Sequence, residues 1–213
     1  VLDLEMSGIA PEKNGIWQIA ALELENPDNF FFQECRIDED DEIFPQALLV
    51  IGKTEKELRD KSKQSQKQLL MNFFAWADKI KSKNFIGQNP GFDLIFIQVK
   101  SRKHKLEYKL PYRSFDLHSL AAHKYFQVHK KFLLKEKDAA SDMELSNVLK
   151  FCGIKDTRIS IDQKTNKVIQ HGPPHNALED IKLTAECFSR IVFAKNLIKE
   201  FEKIPIPEYL KSN

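Results

Sequence analysis

The chain has 213 residues, 42% hydrophobic and 30% charged, with 33 Lys and Arg against 31 Asp and Glu and a formal net charge of +2. That size and apolar content suit a single domain over residues 1–213, and a charge so close to neutral means that any nucleic-acid contact must come from local patches. The cysteines Cys35, Cys152 and Cys187 lack C-x-x-C spacing and no apolar run reaches the ~20 residues of a bilayer span, which argues against a disulfide framework, structural zinc or a membrane anchor and for a reducing, cytoplasmic setting.

VLDLE reads as a strand end; only two residues precede Asp3, so part of this strand, and the native start, are expected upstream of Val1. Residues 15–25 and 30–37 read as two more strands joined by a turn at Asn26-Pro27-Asp28-Asn29. The acidic run Asp38 to Glu42 breaks the pattern and is expected to be a solvated loop. Thr54 to Glu57 has the form of a helix-starting capping box. Residues 66–81 carry a helical rhythm of Leu69, Leu70, Phe73, Phe74, Ala77 and Ile80. A short strand at 84–87 precedes a helix from Pro90 with Phe92, Ile95, Phe96 and Val99 on one face. Ser114-Phe115 is another short strand leading into a helix from Leu117, and residues 143–151 are helical again. Alternation on both sides of Lys164-Thr165-Asn166-Lys167 predicts a hairpin over 158–169. A long helix over 177–203 and a tail from Ile204 complete a mixed-sheet α/β pattern.

Three short motifs carry chemistry. In VLDLE, Asp3 and Glu5 stand two apart, so on a strand both carboxylates face one spot, among apolar neighbours that make buried charge costly without compensation. Mg²⁺ and Mn²⁺ take oxygen ligands of this kind. A second D-x-E, Asp40-Asp41-Glu42, shows how weak such a pair is alone. In NPGFD, Asn89 is a helix cap and Pro90 the first helical residue, which puts Asp93 in the amino-terminal turn, at the positive end of the helix. In HNALED, Asn176 and Glu179 read as a cap and its reciprocal partner, so Asp180 takes the helical position of Asp93. His175 falls in the loop just outside, free to move, and an imidazole is a fitting general base near neutral pH.

These motifs, in this order, resemble the DEDDh 3′–5′ exonucleases, DnaQ-like and ribonuclease T-like proteins, over about residues 1–195. IGKTEKEL and FDLHSLAAH also resemble family segments, whereas Gln18 stands where many relatives carry Glu. The resemblance implies a ribonuclease H-like fold, a mixed five-stranded sheet flanked by helices. It implies two Mg²⁺ or Mn²⁺ ions: Asp3, Glu5 and Asp180 on the first, Asp3 bridging to the second, and Asp93 supporting that one through water. His175 would take the proton of the attacking water; Met6, Ser7 and Gly8 would touch the terminal nucleotide and Phe92 the terminal bases. The expected activity is release of nucleoside 5′-monophosphates from single-stranded DNA or RNA 3′ ends. The alternatives are a catalytically silent binding or scaffold module, a structure-specific endonuclease, and a proofreading or processing subunit that works only beside a partner. Several relatives act as dimers, so a homodimer is one expectation. Lys100, Arg102, Lys103, Lys105, Lys109 and Arg113 form a basic stretch, read first as solvated and second as a backbone track. His118, His123 and His129 are too poorly spaced for a metal and are expected at the surface.

Overall fold

Alternation along the first strands decides the layering. In β1 (Leu2–Met6), Leu2 and Leu4 point into a core shared with Leu69, Phe73, Phe96 and Ile97, whereas Val1 joins the opposite core with Ala177, Ile181 and Ala185. Asp3 and Glu5 fall on the Val1 side by the same period of two. β2 (Ile16–Glu23) runs antiparallel between β1 and β3 (Asn26–Glu34), pairing Asp3 with Ala20 and Glu5 with Gln18. Its seven buried residues in a row, Ile16 to Leu22, fit a strand covered on both faces. Fully burying each such Leu or Ile contributes roughly 1.5–3 kcal/mol. The computed structural model describes residues 1–162, 165 and 167–211.

Helices then cover the two faces. α1 (Pro45–Ile51), α2 (Glu55–Leu58) and α3 (Gln66–Ala77) follow β3, and β4 (Phe85–Gly87) leads into α4 (Pro90–Lys103). β5 (Ser114–Asp116), parallel to β4, opens into α5 (Leu117–His129), and α6 (Leu145–Phe151) follows. β6 (Ser160–Ile161) and β7 (Val168–Gln170) form a small antiparallel hairpin before α7 (Ala177–Phe193) and the short α8 (Glu208–Lys211). Besides that hairpin, the ladders among the described residues are β1-β2-β3 and β4-β5, with none joining β4 to β1. The two groups still abut: a Cβ on Gly87 would lie 3.1 Å from the Leu2 carbonyl oxygen. No helix among the described residues is long and apolar enough to cross a membrane.

Several sequence expectations are corrected. The β2–β3 turn is the two residues Leu24-Glu25, and Asn26 to Asn29 already pair as strand. α1 was not foreseen. α3 stops at Ala77 and not at Lys81. The buried side of α4 carries Asp93, Leu94, Ile97, Lys100 and Ser101 as well as Phe96, while Ile95 is exposed, so the face rotates away from the Phe92–Val99 stripe. α7 ends at Phe193, where Ala194 adopts a left-handed conformation. The residues from Ile204 onward are no loose tail: Arg190, fully buried against Glu186 at 2.7 Å, donates to the Ile204 carbonyl, Leu210 is buried, and the Tyr209 hydroxyl donates to the Phe151 carbonyl. The expected hairpin is present, but Gln163, Lys164 and Asn166 of its turn region lie outside the described residues.

Candidate active site

Three elements converge where β1 ends. Asp3 and Glu5 project from one face of β1, and Asp180 comes from the first turns of α7; one carboxylate oxygen from each lies within 4.8 Å of the others. Asp93 reaches the same strand from α4, its Oδ1 accepting the Leu4 N–H at 3.1 Å, between the two acids of β1. Asp93 and Asp180 are both four residues past their helix caps, as the sequence predicts, and two helix amino ends therefore aim partial positive charge at the site.

The two caps differ. Asn176 accepts from the Leu178 N–H in the usual extended conformation, but Glu179 pairs with Lys182 instead of completing a capping box. Asn89 makes no side-chain cap; it sits at φ 60°, with its N–H donating to Asp116. Gln18, buried on β2 opposite Glu5, accepts the Ala177 N–H at 2.7 Å and donates to Glu34 at 3.1 Å. An amide can do both at once, which a carboxylate cannot. That gives the departure at position 18 a structural role: it docks the amino end of α7 against the sheet.

Electrostatically the four acids are in tension. Burial, followed by repulsion from Asp93, Asp180 and Glu5, raises the Asp3 carboxyl well above its ordinary value. Burial and Asp180 push Glu5 up to about 8. Burial pushes Asp93 up to about 7 against the pull of its backbone hydrogen bonds, and burial also raises Asp180. Asp180 Oδ1 is buried with no hydrogen-bond partner. Crowded hard oxygens, excess negative charge and an orphaned carboxylate oxygen are what a divalent cation would satisfy, so the donor set fits Mg²⁺ or Mn²⁺.

His175 is held more firmly than a free loop side chain. Its N–H donates to the Val50 carbonyl of α1, ring Nε2 lies 3.1 Å from the Ile159 carbonyl, and Nδ1 faces Asp180 Oδ2 at 3.7 Å. A carbonyl only accepts, so Nε2 carries the hydrogen and Nδ1 is the nitrogen open to a proton in the neutral ring. The sequence reading missed Arg158. This buried guanidinium holds Asp156 through two nitrogens and Asp180 Oδ2 through the third, at 2.9 Å. Its only sequence signal is its place at the start of the hairpin before His175.

The predicted nucleotide contacts divide. Ser7 is fully buried; its hydroxyl donates to the Glu42 carbonyl and accepts from the Gly15 N–H, so it has no hydrogen to offer a nucleotide. Gly8 is forced by packing, since a Cβ there would lie 2.5 Å from the Asn14 side chain. Met6 and Phe92 are half-buried, and beyond Gly8 the apolar Ile9 is 73% exposed. The basic stretch is also reassigned in part: Lys100 and Lys103 are tied to Asp41, Asp38 and Asp40 by contacts of 2.7–2.9 Å. Asp41 is accordingly buried and not solvated.

Comparison with known proteins gives the family and the fold. A family model described as Exonuclease, of the RNase T type, matches residues 1–188. The chain belongs to this exonuclease family. Among solved structures it resembles E. coli exonuclease I in complex with a dT13 oligonucleotide, at 18% identity and a TM-score of 0.64, covering 89% of this chain and 40% of that one. The zinc-bound form of the E. coli ExoI–ssDNA complex matches at 17% identity and a TM-score of 0.60, covering 89% and 39%. The expected DEDDh-type relationship and ribonuclease H-like fold are thus borne out, while the exonuclease-family chain spans about two fifths of the length of these structures. No curated protein matches it.

Proposed function

We propose that this exonuclease-family chain is a metal-dependent 3′–5′ exonuclease, one domain over residues 1–213, which removes nucleoside 5′-monophosphates from single-stranded DNA ends. The observation that carries the reading is the convergence of Asp3, Glu5, Asp93 and Asp180 into a buried cluster short of positive charge, with His175 at its edge. The oligonucleotides in the exonuclease I complexes favour DNA as the substrate.

Asp3, Glu5 and Asp180 would hold one divalent ion, and Asp3 with Asp93 a second. When bound, two such ions supply charge stabilisation to the attacking and leaving oxygens of a phosphodiester. The remaining chemistry belongs to the chain. The fixed strand face of β1 and the amino ends of α4 and α7 keep the carboxylates oriented, so little reorganisation accompanies reaction. His175 Nδ1 takes a proton from the attacking water, and the Ile159 carbonyl holds the ring by its other nitrogen. The Met6 and Gly8 backbone and the half-buried Phe92 ring border the terminal nucleotide.

A cleavage panel tests the reading. With Mn²⁺ or Mg²⁺, the chain should shorten linear single-stranded DNA from its 3′ end to mononucleotides and leave a circular single strand intact. Cutting of the circle would assign an endonuclease; no metal-dependent cleavage by the isolated chain would favour a silent module or a subunit dependent on a partner. RNA and 3′-tailed duplexes in the same panel report how the groove treats the 2′-hydroxyl.

A further inference from the structure

A buried arginine in contact with a metal ligand is an unexpected occupant of a divalent-cation site, because it places positive charge where the cation needs negative charge. Arg158 is nevertheless built in with care. Its Nε and Nη2 donate to the two oxygens of Asp156 at 3.0 and 2.8 Å, a fork-to-fork pair, and Asp156 is in turn held by the Ser146 hydroxyl of α6 at 2.8 Å. Burial raises the Asp156 carboxyl, but the bonds from Arg158 outweigh it and bring it to about 2. The Arg158 carbonyl accepts from Gln170, and the next residue, Ile159, donates to Pro173 and bonds His175. Gly172 closes this loop so tightly that a Cβ would lie 2.0 Å from the Thr157 carbonyl oxygen. From this base the remaining nitrogen reaches Asp180 Oδ2, leaving Oδ1 without a partner.

We propose that Arg158 is a resident counter-cation of the acid cluster: it holds Asp180 in the metal-free protein, competes with the divalent ion for that carboxylate, and so sets the cation concentration at which the site loads. This rests on the reading of the cluster as a divalent-metal site. It follows from two charges of the same sign sharing one carboxylate in a partly desolvated place, where their repulsion is poorly screened. Arg158 acts through Asp180 and is a positioning residue. Its tether to Asp156 keeps it close when an ion arrives, so loading requires a shift at the base of the 156–175 loop, next to the carbonyl that holds His175.

The test is a calorimetric titration of Mn²⁺, without nucleic acid, into the wild type, Arg158→Gln and Asp156→Asn, together with the melting temperature of each at zero and saturating Mn²⁺. Arg158→Gln should bind Mn²⁺ about ten-fold tighter or more, because a repelling unit charge is gone, and should show the larger Mn²⁺-induced rise in melting temperature. Asp156→Asn, which leaves the arginine charge uncompensated, should bind several-fold more weakly. A purely structural role for Arg158 predicts the opposite for the first variant, since a disordered ligand binds less well. Equal or weaker Mn²⁺ binding by Arg158→Gln, with no larger thermal gain, overturns the proposal while leaving the metal site standing. Absence of Mn²⁺ binding by all three proteins overturns both. If Arg158→Gln does not fold without Mn²⁺, Asp156→Asn decides alone: Mn²⁺ binding equal to or tighter than the wild type overturns the proposal.

Discussion

Two acidic clusters of this chain each include part of a D-x-E stretch and end in opposite electrostatic states. Asp38, Asp40 and Asp41 could be taken for a metal site by composition, and their oxygens, like those of Asp3, Glu5 and Asp180, lie within 4.8 Å of one another. The first cluster is filled with the ammonium groups of two lysines. Lys100 pairs with Asp41 in full burial at 2.7 Å, Lys103 contacts all three acids, and His104 reaches Asp38 at 3.1 Å. Burial alone would raise Asp38, but its bonds to His104 and Lys103 bring it to about 2. The second cluster has four acids, met by one guanidinium nitrogen of Arg158 at 2.9 Å and by His175 at 3.7 Å, both on Asp180, and its carboxyls are raised. An acidic cluster becomes a candidate metal site when the chain leaves its charge unbalanced, not when the acids are merely close.

Breaking each cluster should therefore give opposite results. Asp3→Ala with Glu5→Ala should lower cleavage by at least about 10³-fold, read by mononucleotide release, because transition-state charge loses its support. The same double variant should melt higher than the wild type without metal, since it removes repulsion. Asp41→Ala should instead cost ~3–5 kcal/mol in denaturant unfolding, because Lys100 is left buried and unpaired. His175→Ala should reduce turnover by about 10²–10⁴-fold while leaving Mn²⁺ affinity nearly unchanged.

The pH dependence sharpens the contrast further. Glu5 and Asp93 have folded-state values of about 8 and 7, raised above ordinary values of 4.5 and 3.8. Their contribution to metal-free stability is fully present below the ordinary values and is lost as pH rises through about 7–8. The metal-free melting temperature should thus fall from about pH 5 to about pH 8.5, and saturating Mn²⁺ should cancel that fall, since the ion binds the deprotonated acids. Asp38, depressed to about 2, has the opposite sign: its contribution is lost only as pH drops below the ordinary carboxylate value. The smallest effect is expected at Gln18→Ala, ~1–2 kcal/mol in thermal or denaturant unfolding, from the Ala177 N–H left without its acceptor.

Much of this was legible in the sequence because it is local. The strand period placed Asp3 and Glu5 on one face, and the Pro and Asn signals set Asp93 and Asp180 at equivalent helical positions. The Thr54 capping box is present as read, with both of its bonds made. What escaped depends on partners distant in sequence. Asp41 looks like any acid in a polar run until Lys100 and Gln66 meet it from α4 and α3. Ser7 reads as a spare hydroxyl until Glu42 and Gly15 use it. The segment from Ile204 looks like a tail because its anchor, Arg190, lies on α7, and Arg158 is one basic residue among many until Asp156 and Asp180 converge on it.

The central claim, that the unbalanced cluster and not the balanced one takes the divalent ion, is tested most directly by calorimetric Mn²⁺ titration of three proteins: wild type, Asp3→Asn with Glu5→Gln, and Asp38→Asn with Asp40→Asn. The account predicts that binding is lost in the first double variant and retained in the second. Retained binding in Asp3→Asn with Glu5→Gln, or loss confined to Asp38→Asn with Asp40→Asn, would contradict it.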